Sequence, residues 1–364
     1  MDEGVFGRAA RERAIAEVEA EMARLCELLA EGLAMGLDEG REMVGGAMSE
    51  FLTEFFDLVR AKGSRPGMNG MITLPLLVHD AETGPEARPL NGGGRGLEDG
   101  PPSGPRAVAV VHLLWWAAAR YFDDLTDTPG APSPGNVAVG KKVLTALAVG
   151  SHLPARILAD LPVTGGVRAA LGDELSRCWL DAVDGQLRDL TAPVSTATPE
   201  SVLRAYEGKT GAPYAMAAAS AACLAGADGR RVTGWRSFGR ALGVLRQLVN
   251  DQRDLASGRH EDLANGTATY LLVQLLASLP AGRRREALAL HAAARHSGSA
   301  RAELTAWMLD DEVVDSCAAS VAPLIERAHG LLDRLGGEPG RVRELHGLVD
   351  ETVGHMPGFR LAVA

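Results

Sequence analysis

The chain contains no closely spaced pair of cysteines. Cys26, Cys178, Cys223 and Cys317 are far apart and no C-x-x-C occurs, so neither a zinc knuckle nor a disulfide framework is expected, and a reducing cytoplasm fits best. A basic surplus is also missing. The net charge is −10, which argues against a nucleic-acid surface, because phosphate backbones require clustered Lys and Arg. An acidic ligand would have to be handled locally, by metals and a few cations. There is no apolar run of membrane-spanning length. The most apolar segment, Ala107 to Phe122, falls short of a span, contains His112 and Arg120, and ends in carboxylates. It reads as a core helix, and the protein as not integral to a membrane. The first residues, Met-Asp-Glu-Gly, are acidic and carry neither a basic n-region nor an apolar h-region, so no export is expected. Period-2 strand patterns bounded by hairpin turns are absent, as is any internal repeat.

What is present is helical. With 364 residues, 46% of them hydrophobic, the chain can bury a large core. Residues 8 to 34 show helical periodicity with i,i+4 charge pairs, and a second helix is expected from about Glu39 to Ala61. Thr198-Pro199-Glu200 has the form of an N-cap with Pro at N1, opening a helix that carries Lys209. Two breaks stand out. Residues 81 to 106, with Asn91-Gly92-Gly93-Gly94 and Pro101-Pro102-Ser103-Gly104-Pro105, form a long stretch expected to be a flexible insertion loop, and Pro129 to Gly135 is a second interruption. The expectation is an all-α bundle forming one domain over residues 1 to 364, with the 81–106 stretch as an insertion rather than a boundary.

Two carboxylate clusters carry the chemistry. Asp123-Asp124-x-x-Asp127 and Asn250-Asp251-x-x-Asp254 each end a strongly apolar stretch. On a helix the i, i+3 and i+4 positions share one face, so two or three carboxylates crowd together. Such crowding opposes folding unless a cation intervenes. Mg²⁺ is the expected ion, since it takes hard oxygen ligands from one or two carboxylates and completes its shell with water and substrate phosphate. Two such patches facing each other would hold several Mg²⁺ around a diphosphate.

Other stretches surround these clusters in a fixed order: Lys62-Gly63-Ser64-Arg65-Pro66, then the first cluster, Gly185-Gln186-Leu187-Arg188-Asp189, Lys209-Thr210-Gly211, Gly243-x-x-x-Gln247 leading into the second cluster, and Asp262-Leu263-Ala264-Asn265-Gly266-Thr267-Ala268-Thr269. This order, over about residues 58 to 275, resembles the trans-isoprenyl diphosphate synthase (polyprenyl synthetase) family. The resemblance implies a class I isoprenoid synthase bundle with a central metal-lined cavity, acting with about three Mg²⁺ ions on bound diphosphate, and a homodimer. It implies that Asp123, Asp127, Asn250, Asp251 and Asp254 are metal ligands with Asp124 as a coupled carboxylate. Lys209 and Thr210 would contact an allylic diphosphate, Gln247 would face the same cavity, and Lys62 and Arg65 would grip isopentenyl diphosphate.

The chain departs from the family pattern in several places. Two arginines usual after the first cluster are replaced by Thr128-Pro129-Gly130 and the residues that follow. Asn250 stands for an Asp, Thr267 for a Lys, and Trp116 for a His or Gln. Arg120 shares the carboxylate face and could supply a replacement cation or simply form an intrahelical ion pair. Trp116, two turns before Asp123, could floor a prenyl pocket above which Ala118 and Ala119 leave room, or it could be core. The leading expectation is a Mg²⁺-dependent prenyltransferase that ionises an allylic diphosphate of about C10 to C20 and joins it to isopentenyl diphosphate. The alternatives are a synthase-derived terpene cyclase and a weakly active regulatory subunit of a heteromeric synthase.

Overall fold

The computed structural model describes residues 3–30, 42–61, 65–84, 104–127, 137–354 and 356. Among them there are sixteen α-helices, one five-residue π-helical stretch and no strand. Most of the 81–106 stretch and the Pro129–Gly135 break lie outside the described residues. The chain divides into two compact units.

The first unit holds α1 (Glu3–Ala30), α2 (Glu42–Ala61), α3 (Arg65–Thr83), α4 (Pro105–Asp127), α5 (Val137–Leu147), the π-helical Ala148–His152 and α6 (Leu153–Ala159). α4 is its centre, packing on α1, α3, α5 and α6. Ala107 to Trp115, Ala117 and Ala118 are all buried, so the most apolar segment of the sequence is indeed a core helix. His112 sits inside it. Its Nδ1 lies 3.3 Å from the Met71 carbonyl oxygen of α3, and burial pulls its pKa down to about 4, so the ring is neutral and ties two helices together. α1 is pinned to α4 where Arg106 meets Glu17 at 2.5 Å. α5 runs a two-rung ladder of exposed ion pairs to α2, Lys141 with Glu50 and Lys142 with Glu54, each at 2.7 Å.

Four helices contribute residues to both units: α7 (Gly165–Thr191), α9 (Gly211–Leu224), α10 (Gly229–Ala256) and, by its first turn, α16 (Pro339–Val353). The second unit adds α8 (Pro199–Lys209), α11 (Glu261–Asn265), α12 (Tyr270–Ser278), α13 (Ala281–Ala294), α14 (Gly298–Met308), α15 (Asp311–Leu335) and most of α16. α8 opens as its sequence requires. Thr198 and Ser201 form a reciprocal capping box with Pro199 in the first turn.

Glycines decide how the helices of this unit approach. A side chain on Gly185 of α7 would collide with the backbone of Ala205, Gly208 and Lys209 on α8, and one on Gly208 with Asp181 and Gly185. On α10, a Cβ at Gly239 would strike the Tyr214 carbonyl, and one at Gly243 would lie 2.5 Å from the Thr210 oxygen. Backbone therefore meets backbone at each crossing, a separation no other residue permits. At the far end of the chain α15 and α16 are joined crosswise: His329 Nε2 reaches Asp350 at 3.1 Å, His346 Nε2 reaches Asp333 at 3.3 Å, and the two Nδ1 atoms meet at 2.7 Å.

Candidate active site

The residues of the second cluster are brought together by the glycine contacts. Gly239, Gly243, Gln247 and Asp251 follow one another at four-residue steps on α10, and their partners, Tyr214, Thr210 with Gly211, Thr210 and Tyr206, run the opposite way along α9 and α8. The α8–α9 junction falls at Lys209-Thr210-Gly211, with Thr210 as the C-cap of α8. Close approach at Gly243 places the Thr210 hydroxyl where it donates to Gln247 Oε1, and Gln247 Nε2 in turn donates to Asp251 Oδ1 at 2.8 Å.

Asp251 is 4% exposed. Its other oxygen accepts a short hydrogen bond from the Tyr206 hydroxyl, which itself accepts from the backbone N–H of Tyr270, 3.1 Å away at the start of α12. Burial is the largest influence on this carboxyl and pushes its pKa up to about 7, against the two donors that favour the ionised form. Half-buried Asp262 is held well above the usual carboxylate range, first by desolvation and then by Asp251 and Asp254. Desolvation together with Asp251 raises the Tyr206 hydroxyl well above its ordinary value.

Asp254, 3% exposed, accepts from the Asp262 backbone N–H at 3.2 Å through Oδ2. Its Oδ1 has no hydrogen-bond partner, with Arg259 Nε standing 3.6 Å off. Lys209 extends from the last residue of α8 to Asp189 Oδ2, 2.9 Å away. The G-Q-x-x-D stretch thereby acquires a physical meaning. Gly185 lets α7 touch α8, and Asp189, one turn later on the same helix face, grips the lysine.

The result is a concentration of carboxylates, Asp189, Asp251, Asp254 and Asp262, that act electrostatically on one another and on Lys209. Such an array suits a cation, and the buried, unbonded oxygen of Asp254 is an acceptor without a donor. Among the described residues no three His, Cys, Asp or Glu side chains are grouped to enclose a metal by themselves. Asn250 is exposed, beside the inward-turned Asp251.

The first cluster has a different character. On α4 the partly exposed residues Trp116, Ala119, Arg120 and Asp123 fall at i, i+3, i+4 and i+7, a stripe along one face of the helix. Asp124 is exposed and ion-paired with Arg120 Nε at 3.0 Å, so the intrahelical pair foreseen for Arg120 is formed. Asp127 is the last residue of α4, and its side chain lies outside the described residues. Trp116 packs edge-on against Phe55 of α2, ring centroids 5.2 Å apart, while Trp115 is buried in the core. Lys62 and the side chain of Arg65 lie outside the described residues.

Sequence reasoning overlooked Tyr206. A tyrosine in an apolar register reads as core, and its partner Asp251 is 45 residues away. Asp189 and Asp262 were visible as motif members, but not what they hold.

An all-helical chain with this aspartate–lysine constellation has the fold of the class I isoprenoid synthases. The geranylgeranyl pyrophosphate synthetase of Pyrococcus horikoshii matches it with a TM-score of 0.67 at 19% identity, over 94% of this chain and 98% of that one. A geranylgeranyl pyrophosphate synthase from Corynebacterium glutamicum, complexed with isoprenyl diphosphate and magnesium, gives 0.69 at 17% identity, over 93% and 98%. A decaprenyl diphosphate synthase from Rhodobacter capsulatus gives 0.67 at 18% identity, over 95% and 99%. At these identities the likeness is one of fold. No curated protein matches significantly in sequence. Residues 134–305 match the polyprenyl synthetase family model. The matched segment contains Lys209, Gln247, Asp251 and Asp254 and begins after the first cluster. No helix among the described residues is long and apolar enough to cross a membrane.

Proposed function

We propose that the chain is a Mg²⁺-dependent prenyltransferase that condenses an allylic isoprenyl diphosphate of about C10 to C20 with isopentenyl diphosphate. The observation that carries this reading is the Lys209–Asp189 pair set beside the buried carboxylates of α10, inside the segment that matches the family. The allylic C–O bond breaks with its electron pair leaving on diphosphate. The double bond of isopentenyl diphosphate supplies the electrons of the new C–C bond, and loss of a proton from the neighbouring carbon restores the alkene. Inorganic diphosphate and the proton are the by-products.

In this reading Lys209 binds the departing diphosphate, and Asp189 keeps its ammonium aimed. Thr210 and Gln247 fix the α8–α9 junction against α10, and the burial around Asp251 keeps water from the site. Asp254, Asn250 and Asp251 on α10, with Asp123 and Asp127 on α4, would hold Mg²⁺. The bound ions would supply charge stabilisation for the leaving diphosphate. Lys62 and Arg65 would take the diphosphate of isopentenyl diphosphate. Trp116, with Ala119 and Arg120 on its stripe, would limit the prenyl chain. The relatives reported above are named as diphosphate synthases, which supports chain transfer over cyclisation.

One domain is proposed for the whole chain, since α7, α9 and α10 continue unbroken from one unit to the other. A homodimer is proposed as well. It is supported by an exposed apolar ridge on α7, Leu180, Val183, Leu187 and Leu190, spaced three and four residues apart. A reduced, cytoplasmic setting suits four cysteines so widely spaced in the sequence.

The test is product analysis after incubation with Mg²⁺ and geranyl, farnesyl or geranylgeranyl diphosphate, with and without isopentenyl diphosphate. A longer diphosphate formed only when isopentenyl diphosphate is present is expected. Consumption of the allylic substrate at full rate without it, releasing a hydrocarbon or alcohol, would overturn the transferase reading.

A further inference from the structure

Tyr206 is a buried side chain at the site whose hydroxyl meets two other helices at once. Its hydroxyl donates to Asp251 of α10 and accepts from the N–H of Tyr270 at the first residue of α12. Thr269, the N-cap of α12, makes no side-chain cap, so Tyr206 does from α8 what a capping side chain does locally. Asp251 thus has both oxygens engaged, one by Tyr206 and one by Gln247, whose own carbonyl is held by Thr210. Five groups form an unbroken chain from the α8–α9 junction through α10 to the start of α12.

Tyrosine has a single hydroxyl proton, spent on Asp251, so its lone pairs are what meet Tyr270 N–H. Gln247 presents its carbonyl to Thr210 and its amide to Asp251. The neighbouring Asn250 is exposed, and Asp254 retains an unbonded oxygen.

From this arrangement we infer that Tyr206 is a positioning residue for the proposed transferase. It holds Asp251 as an anchor with both oxygens engaged, which leaves Asn250 and the unbonded Oδ1 of Asp254 as the groups on α10 open to a Mg²⁺–diphosphate. The inference rests on the functional reading above and sharpens it, because Asp251 moves from ligand to support. Carboxylates that support ligands from behind commonly govern affinity and rate by about 10- to 100-fold. Tyr206 should do so only through Asp251.

The experiment is a double-mutant cycle on the full chain, with Tyr206→Phe, Asp251→Ala and the pair. Two readouts are taken: turnover as a function of Mg²⁺, and calorimetric binding of inorganic diphosphate in the presence of Mg²⁺. Tyr206→Phe should lower kcat by about tenfold or more, and it should raise the Mg²⁺ needed for half-maximal rate by a similar factor. In the Asp251→Ala background it should change neither by more than about twofold. Circular dichroism establishes that each variant is folded, and Tyr206→Trp replaces Tyr206→Phe should the latter not fold. Additive effects in the cycle would overturn the inference, as would a Tyr206→Phe enzyme with wild-type Mg²⁺ dependence. A wild-type chain that binds no Mg²⁺–diphosphate would instead bring down the functional reading on which it stands.

Discussion

The two aspartate clusters look alike as sequence and differ as chemistry. On α10, Asp251 and Asp254 are buried and hydrogen-bonded, and they are held by helices whose backbones touch. On α4, Asp123 is half-buried and Asp124 lies at the surface in a local ion pair. The contrast teaches that one D-x-x-D pattern can serve a pre-organised site, where desolvation raises the carboxyl pKa, and a softer one, where solvent screens the charges. Mutations should separate the two.

The largest effect is expected on turnover. Asp123→Ala and Asp254→Ala should each lower kcat by about 100-fold or more, a loss of roughly 3 kcal/mol of transition-state stabilisation, while circular dichroism stays unchanged. Near-normal turnover in either variant would remove that cluster from the site. Next comes the backbone lock. Gly243→Ala puts a methyl group 2.5 Å from the Thr210 carbonyl oxygen, and because backbone cannot step aside, urea denaturation should show about 2–3 kcal/mol of lost stability. Gly172→Ala, where a Cβ would meet nothing within 4 Å, should be neutral or stabilising. Equal effects at the two glycines would mean that α9 and α10 do not touch as described.

A third prediction concerns an acid in the first unit. Burial raises the Glu21 carboxyl from 4.5 to about 7, with Arg106, 3.8 Å away, opposing the shift only in part. An acid whose folded pKa lies above its unfolded value binds its proton more tightly in the native state. Its contribution to stability is therefore intact below pH ~4.5 and is lost as pH rises to about 7, in total roughly 3 kcal/mol. Glu21→Gln should flatten this profile and make the protein more stable than wild type at pH ~8 in thermal melts. A variant no more stable there than wild type would show that Arg106 satisfies the charge. The smallest effect belongs to the exposed pair on α4. Arg120→Ala should cost about 0.5 kcal/mol or less, so any large change in its kinetics would assign the guanidinium to substrate rather than to Asp124.

Much of this was legible in the sequence. Helical periodicity gave α1, α2 and α4, and the Thr198-Pro199 cap placed the start of α8. The motif order put Lys209, Gln247 and Asp251 in one pattern, and the structure bonds Gln247 to Asp251 and brings Lys209 near enough to act on its charge. What escaped were partnerships between residues distant along the chain. Nothing local marks Tyr206 as the donor to Asp251 or Asp189 as the partner of Lys209, because hydrophobic patterning reports which face is buried and not what it meets. The crosswise joining of α15 and α16 escaped for the same reason, although His329-x-x-x-Asp333 and His346-x-x-x-Asp350 repeat one spacing. Asn250 and Asp251 could not be told apart as outward and inward groups until the helix contacts fixed the rotation of α10.

The glycine crossings bear on how such a chain can diverge. Where helices are spaced by interdigitating side chains, each exchange of Leu for Val or Ala shifts the axes slightly, and the shifts accumulate. Where they are spaced by main chain, the distance from α10 to the α8–α9 junction is set by atoms that every sequence shares. The surrounding core can then drift through many residue combinations while Lys209, Gln247 and Asp251 keep their register. The geometry then depends on a handful of positions that have no side chain to lose.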